Sequence, residues 1–139
     1  IFIGFLHLYS MDKMYAILGA IFICLGITLG AFGAHSLKGI LTYDELNSFE
    51  VGVRYQIYHG IALLVLGLNA KKIALNSFCF SAFMSGTILF SFSIYFLSAD
   101  RAMGLDLSFL GPITPIGGGI LISAWFYLII RLSKSEKEF

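Results

Sequence analysis

Charged residues are absent from long stretches of this chain and gather in the gaps between them. Residues 14–34 carry no charged side chain at all. A helix over this run is about 31 Å long at ~1.5 Å per residue, which matches the hydrocarbon core of a bilayer. Its small residues recur on one side, at Gly19, Gly26, Gly30 and Gly33 or Ala34, and Gly26 with Gly30 forms a GxxxG that permits close approach of a second membrane helix. His35, Ser36 and Lys38 close the span, and Gly39 is a natural terminator.

The next stretch, TYDELNSFEVGVRYQIYHGIALLVLGLNA over residues 42–70, begins like a soluble helix and ends like a membrane one. Thr42 and Glu45 have the spacing of a capping box, and Asp44 and Glu45 fall in the first turn, where the helix dipole favours negative charge. Glu50 and Arg54 are one helical step apart and can pair. Beyond Gln56 only His59 interrupts the apolar run before Asn69 and Lys71. Counting back about 20 residues from Lys71 places the span at 50–70, with Arg54 about 6 Å inside the boundary, close enough to snorkel, and His59 about 13 Å inside, near the midplane.

Lys71 and Lys72 mark a short turn, and Asn76 or Ser77 is positioned to cap a third span over 75–98. This span is rich in phenylalanine, and Ser77, Ser81 and Ser85 repeat at four-residue spacing ahead of Gly86, the pattern of another small-residue packing seam. In LGPITPIGGG, residues 110–119, Thr114 is an N-cap candidate and Pro115 a good first helical residue. The fourth span follows over 115–131, with Trp125 and Tyr127 toward its far end, where interfacial aromatics are favoured. The expected fold is all-α: a four-helix transmembrane bundle forming one domain over residues 11–139. Residues 1–10, IFIGFLHLYS, read as an extension ahead of a natural start at Met11 or Met14. They are too short to span and lack the basic segment of a signal peptide, and His7 carries no functional weight.

Composition agrees. Of 139 residues, 58% are hydrophobic and 12% charged, against about 25% charged in soluble domains, and the mean hydropathy is +0.89. A net charge of +1 argues against nucleic-acid binding. With four spans both termini and the Lys71–Lys72 turn share a side, holding Lys13, Lys71, Lys72, Arg131, Lys134 and Lys137, against Lys38, Arg101 and Arg54 on the other. The positive-inside rule then places both termini in the cytoplasm. Cys24 and Cys79 lie in apolar runs as small hydrophobes; a disulfide between them stays open, and no metal spacing exists.

The chemistry concentrates on the second span. Glu50, Arg54 and Tyr58 lie along one stripe, and Tyr55 and His59 along the next. Ionisable residues inside a bilayer are functional candidates by default. Structural satisfaction is the competing reading: Arg54 pairs with Glu50, and His59 bonds a neighbouring span. A haem held by His35 and His59 fails on depth, because the two differ by roughly 13 Å along the membrane normal. No nucleophile elbow, metalloprotease helix or phosphate loop is present, so no catalytic residue and no cofactor is assigned.

The segments LGAFGAHSLK, FEVGVRYQIYHGIALLVLG, LFSFSIYFL and LGPITPIGG, in this order, resemble the YgdD/YwdK-like family, small integral membrane proteins of bacteria with mitochondrial relatives, classed as a domain of unknown function. The resemblance covers about residues 14–131. It implies four membrane spans, and the matched positions include His35, Arg54, Tyr55, His59, Thr114 and Pro115. It supplies no activity, substrate or cofactor. Two readings follow. The first is a non-enzymatic accessory or assembly subunit of the bacterial cytoplasmic membrane, partnered by a larger membrane complex or by itself. The second is a small transporter or a lipid- or quinone-binding protein with an outward-facing pocket of His35, Arg54, Tyr55, Tyr58 and His59, closed by a loop carrying Thr114, Pro115 and Gly117. An intramembrane enzyme ranks last.

Overall fold

The computed structural model describes residues 11–73 and 76–134; the expected extension over 1–10 lies outside them. Among the described residues there is no strand. Helix α1 covers Met11–Ala34, α2 Tyr43–Ile73, α3 Ser77–Thr87, α4 Ser93–Met103 and α5 Ile113–Lys134. A π turn, Ile88–Phe92, joins α3 and α4 into one span. Single 3-10 turns, Leu37–Gly39 and Ser108–Leu110, precede α2 and α5. Among the described residues four segments are long and apolar enough to cross a membrane: Lys13–Gly39, Tyr43–Ile73, Ser77–Met103 and Ser108–Lys134. The expected all-α, four-span architecture is the one observed.

Local chemistry sets the helix ends. Thr42 and Glu45 form the capping box: Thr42 N–H donates to Glu45 Oε2 at 2.7 Å, and Glu45 N–H donates to Thr42 Oγ1 at 3.3 Å. Asn76, rather than Ser77, caps α3, its Oδ1 accepting from Cys79 N–H at 3.2 Å. Gly104 ends α4 with φ 66°, a left-handed conformation that glycine adopts without penalty. The fourth span begins earlier than its proline implies. Thr114, Pro115 and Gly117 lie within the first turns of α5, not on a closing loop, and Thr114 is not the cap. Pro115 is tolerated there because the first helical N–H groups have no intrahelical acceptor. The Thr114 hydroxyl instead bonds Ser93 Oγ across the bundle at 2.7 Å.

The glycine side of α1 packs on α2. A methyl group on Gly19 would lie 2.5 Å from Leu64 N and 2.6 Å from Gly60 O, so the two backbones touch there. Gly26 faces Ile57, Gly30 faces Val53, and Gly33 faces Phe49. The serine row of the third span behaves otherwise. Ser77, Ser81 and Ser85 are all exposed, and the inward face of α3 is Cys79, Phe80, Phe83, Gly86 and Thr87. Cys24 is exposed, Cys79 is buried, and both thiols are free.

Two apolar clusters form the core. One draws on all four spans, with Tyr15, Phe22, Leu63, Phe80, Phe83, Leu121 and Leu128 among its members. The other, Leu41, Phe49, Val53 and Tyr95, lies at the opposite end of α2. Between them along α2 sit Gln56 and His59, and along the third span Thr87, Ser91 and Ser93, all buried. A polar layer therefore divides the core near the middle of the bundle.

Candidate functional site

Gln56 is the centre of the layer. It is 0% exposed. Its Nε2 donates to the carbonyl of Phe22 on α1 at 2.9 Å, and its Oε1 accepts from Tyr95 O–H on α4 at 2.8 Å. One carboxamide thus ties three spans together. Unpaired polar groups in a low-dielectric interior are costly, so each of these bonds helps dictate how the helices are rotated. Gly52, one turn before Gln56, makes room for the arrangement: a methyl there would lie 2.7 Å from the Tyr95 ring and 3.2 Å from Ser91 O. On the other side of the π turn, a methyl on Gly117 would lie 2.5 Å from Phe90 N. Two glycines on two helices thus clear space for the wider turn. Ser91 Oγ, inside that turn, is buried without a hydrogen-bond partner.

His59 lies one turn further along α2, also buried. Its Nδ1 lies 2.8 Å from Tyr55 O, and Trp125 Nε1 lies 3.2 Å from its Nε2. A carbonyl only accepts and an indole N–H only donates. The partners therefore assign the proton to Nδ1 and leave Nε2 as acceptor, so the imidazole is neutral. Trp125 corrects the interfacial role expected of it: it belongs to the middle of α5 and is turned toward the second span. Tyr55, His59, Phe90, Gly118, Leu121, Ile122 and Trp125 line a groove of about 300 Å³. Its walls are aromatic, with the Tyr55 and Phe90 rings 4.6 Å apart and His59 and Trp125 meeting edge-on at 6.2 Å.

The expected pocket residues do not converge on one place. Tyr55 and His59 line the groove, whereas Arg54, Tyr58 and His35 are exposed and absent from its lining. Arg54 Nη1 lies 3.7 Å from Glu50 Oε2, with both side chains about half exposed. His35 stands at the end of α1. Thr114 lines a different cleft, of about 390 Å³, with Asp44, Glu45, Ser48, Ile94, Leu97 and Ser98. Above that cleft Arg101 grips Glu45 with two bonds, Nε to Oε1 at 2.6 Å and Nη2 to Oε2 at 2.7 Å, while Nη2 also donates to Ile40 O at 3.2 Å. No group of three or more His, Cys, Asp or Glu side chains suited to a metal ion occurs among the described residues.

Sequence reasoning passed over Gln56, Tyr95, Trp125 and Arg101 as interaction partners. The available signal was the position of a glutamine and a tyrosine within apolar spans, where polar side chains act as interhelical glue.

Comparison with known proteins agrees with the architecture. A family model described as Protein of unknown function (DUF423) matches residues 29–118. The chain is 37% identical over 125 residues to the UPF0382 membrane protein YwdK of Bacillus subtilis, covering 88% of this chain and 98% of that one. It is 36% identical over 123 residues to the UPF0382 membrane protein SH2409 of Staphylococcus haemolyticus, covering 88% and 97%, and 37% identical over 123 residues to SERP0230 of Staphylococcus epidermidis, with the same coverage. No solved structure matches.

Proposed function

Because the chain belongs to the DUF423 family of membrane proteins, whose descriptions carry no activity, we propose a function from the geometry alone: a non-enzymatic accessory or assembly subunit of the bacterial cytoplasmic membrane. The observation that carries this reading is the use of the buried polar groups. Gln56 is committed to Phe22 and Tyr95, and His59 Nδ1 to Tyr55. A catalytic centre needs an acid, base or nucleophile presented to a substrate. Here the central histidine is neutral, with its Nδ1 held by the Tyr55 carbonyl, and Arg54 is half exposed beside Glu50.

The outer surface supports docking in the membrane. Large apolar side chains cover the outer faces of the spans, including Ile27, Phe32, Leu68, Phe126 and Ile129, and among the described residues only short turns lie between the spans. The excess of Lys and Arg at the end that holds Lys71, Lys72, Arg131 and Lys134 supports cytoplasmic termini. Native mass spectrometry of gently extracted protein, at its natural expression level, tests the proposal. A stoichiometric assembly with a larger membrane complex, or a defined homo-oligomer, is the expected result. A lone chain in mild detergent, with no co-purifying protein, overturns it.

A further inference from the structure

The groove beside His59 has the chemistry of a ligand site, independently of any protein partner. No charged side chain lines it, so its occupant is neutral. Three rings, those of Tyr55, Phe90 and Trp125, and the bare backbone of Gly118 shape the walls, which favours a flat molecule. Tyr55 and Trp125 are 41% and 42% exposed on the outer surface of the bundle. The groove therefore opens sideways toward the acyl chains rather than to water, and its occupant arrives from the bilayer.

The polar contact narrows the choice. Trp125 N–H donates to His59 Nε2 at 3.2 Å, at the outer end of the ordinary range. His59 Nδ1 is held by Tyr55 O, so Nε2 remains an acceptor wherever Trp125 moves. A hydroxyl placed between the two rings accepts from the indole and donates to the imidazole, replacing one bond with two. A carbonyl accepts from Trp125 but leaves Nε2 without a donor, and an unmade bond in such a site is costly. We propose that this groove binds the head group of a membrane-soluble phenol or quinol, with the hydroxyl bridging Trp125 and His59 and the tail lying along the lipid-facing side of α5. Its volume of about 300 Å³ suits a single substituted ring.

Trp125 is the sole tryptophan of the chain, so its indole N–H gives one resonance that reports directly on the site. The test is a titration of the full-length, nitrogen-15-labelled protein in detergent with decylubiquinol, decylubiquinone and decanol. Decylubiquinol should shift the indole resonance saturably, with an affinity about tenfold above that of the quinone. Decanol should give only the small linear shift of a partitioning solute. Gly118→Leu fills the groove from a position where a methyl group meets Phe90 at an ordinary 3.5 Å, and should weaken decylubiquinol binding at least tenfold. A shift matched by decanol, equal affinity for the two redox forms, or saturation that survives in Gly118→Leu overturns the proposal. The decanol comparison uses the unmodified protein, so the test stands even where the variant fails to fold.

Discussion

Three adjacent glycines show how differently identical residues behave in this protein. A methyl on Gly117 would press on the backbone of the π turn at 2.5 Å, one on Gly118 would rest against the Phe90 ring, and one on Gly119 would meet nothing within 4 Å. Gly119→Ala should accordingly leave the protein unchanged or more stable by up to about 1 kcal/mol, because helical glycine is entropically costly. Gly117→Ala should lower stability by more than about 2 kcal/mol, because backbone cannot move aside as a flexible side chain does. Thermal unfolding in detergent distinguishes the two. Gln56 and Tyr95 make a second residue-level case. Tyr95→Phe strands a buried carboxamide oxygen and should cost about 1–3 kcal/mol. Adding Gln56→Leu should cost less than the sum of the two single changes, since each alone removes the same bond. A strictly additive double mutant would show that the 2.8 Å contact carries no coupling.

Among the elements, the third span departs most from its sequence pattern. Its run of phenylalanines contains neither proline nor glycine between Thr87 and Ser93, and nothing in it marks a π turn. The cause lies on its neighbours, where Gly52 and Gly117 allow α2 and α5 to approach the widened backbone. The start of α2 is the opposite case. Its capping box is local and stands as read, and the structure adds Arg101, which braces Glu45 and Ile40 from the end of α4. Arg101→Ala should raise amide exchange over residues 40–46 and leave exchange in the interior of α2 unchanged. High salt should have a weaker effect of the same kind, because an exposed ion pair is screened. The α1–α2 contact is the most extensive helix pairing among the described residues, so Gly19→Leu should prevent the two backbones from touching and give a chain that extracts as aggregate rather than as a folded species.

For the whole molecule, four spans put Met11 and Lys134 on one side, and the cytoplasmic placement proposed for that side from the Lys and Arg distribution can be tested directly. A reporter fused after Lys134 should be active only if it is a cytoplasmic reporter, and activity of a periplasmic reporter at that position would reverse the orientation. The family match and the observed spans support a membrane protein without a soluble domain among the described residues. The groove and the polar layer both lie between spans, so neither survives isolation of a helical hairpin.

Pattern along the chain is enough for whatever depends on residues within a turn or two of each other. The four spans follow from uncharged runs, the start of α2 from Thr42 and Glu45, the Glu50–Arg54 pair from one helical step, and the α1 seam from recurring glycines. The rotation of each helix about its axis is set by contacts between spans. A soluble helix advertises its inner face by contrast with a polar outer one, but in a bilayer both faces are apolar and the contrast is lost. That is why the serine row of the third span reads as a seam yet faces outward, and why Trp125 reads as interfacial yet turns to His59. The bonds that resolve the ambiguity join residues 34, 39 and 66 positions apart. At such separations the pattern along the chain carries no register, and the low cost of a satisfied polar group against the high cost of a stranded one selects the packing.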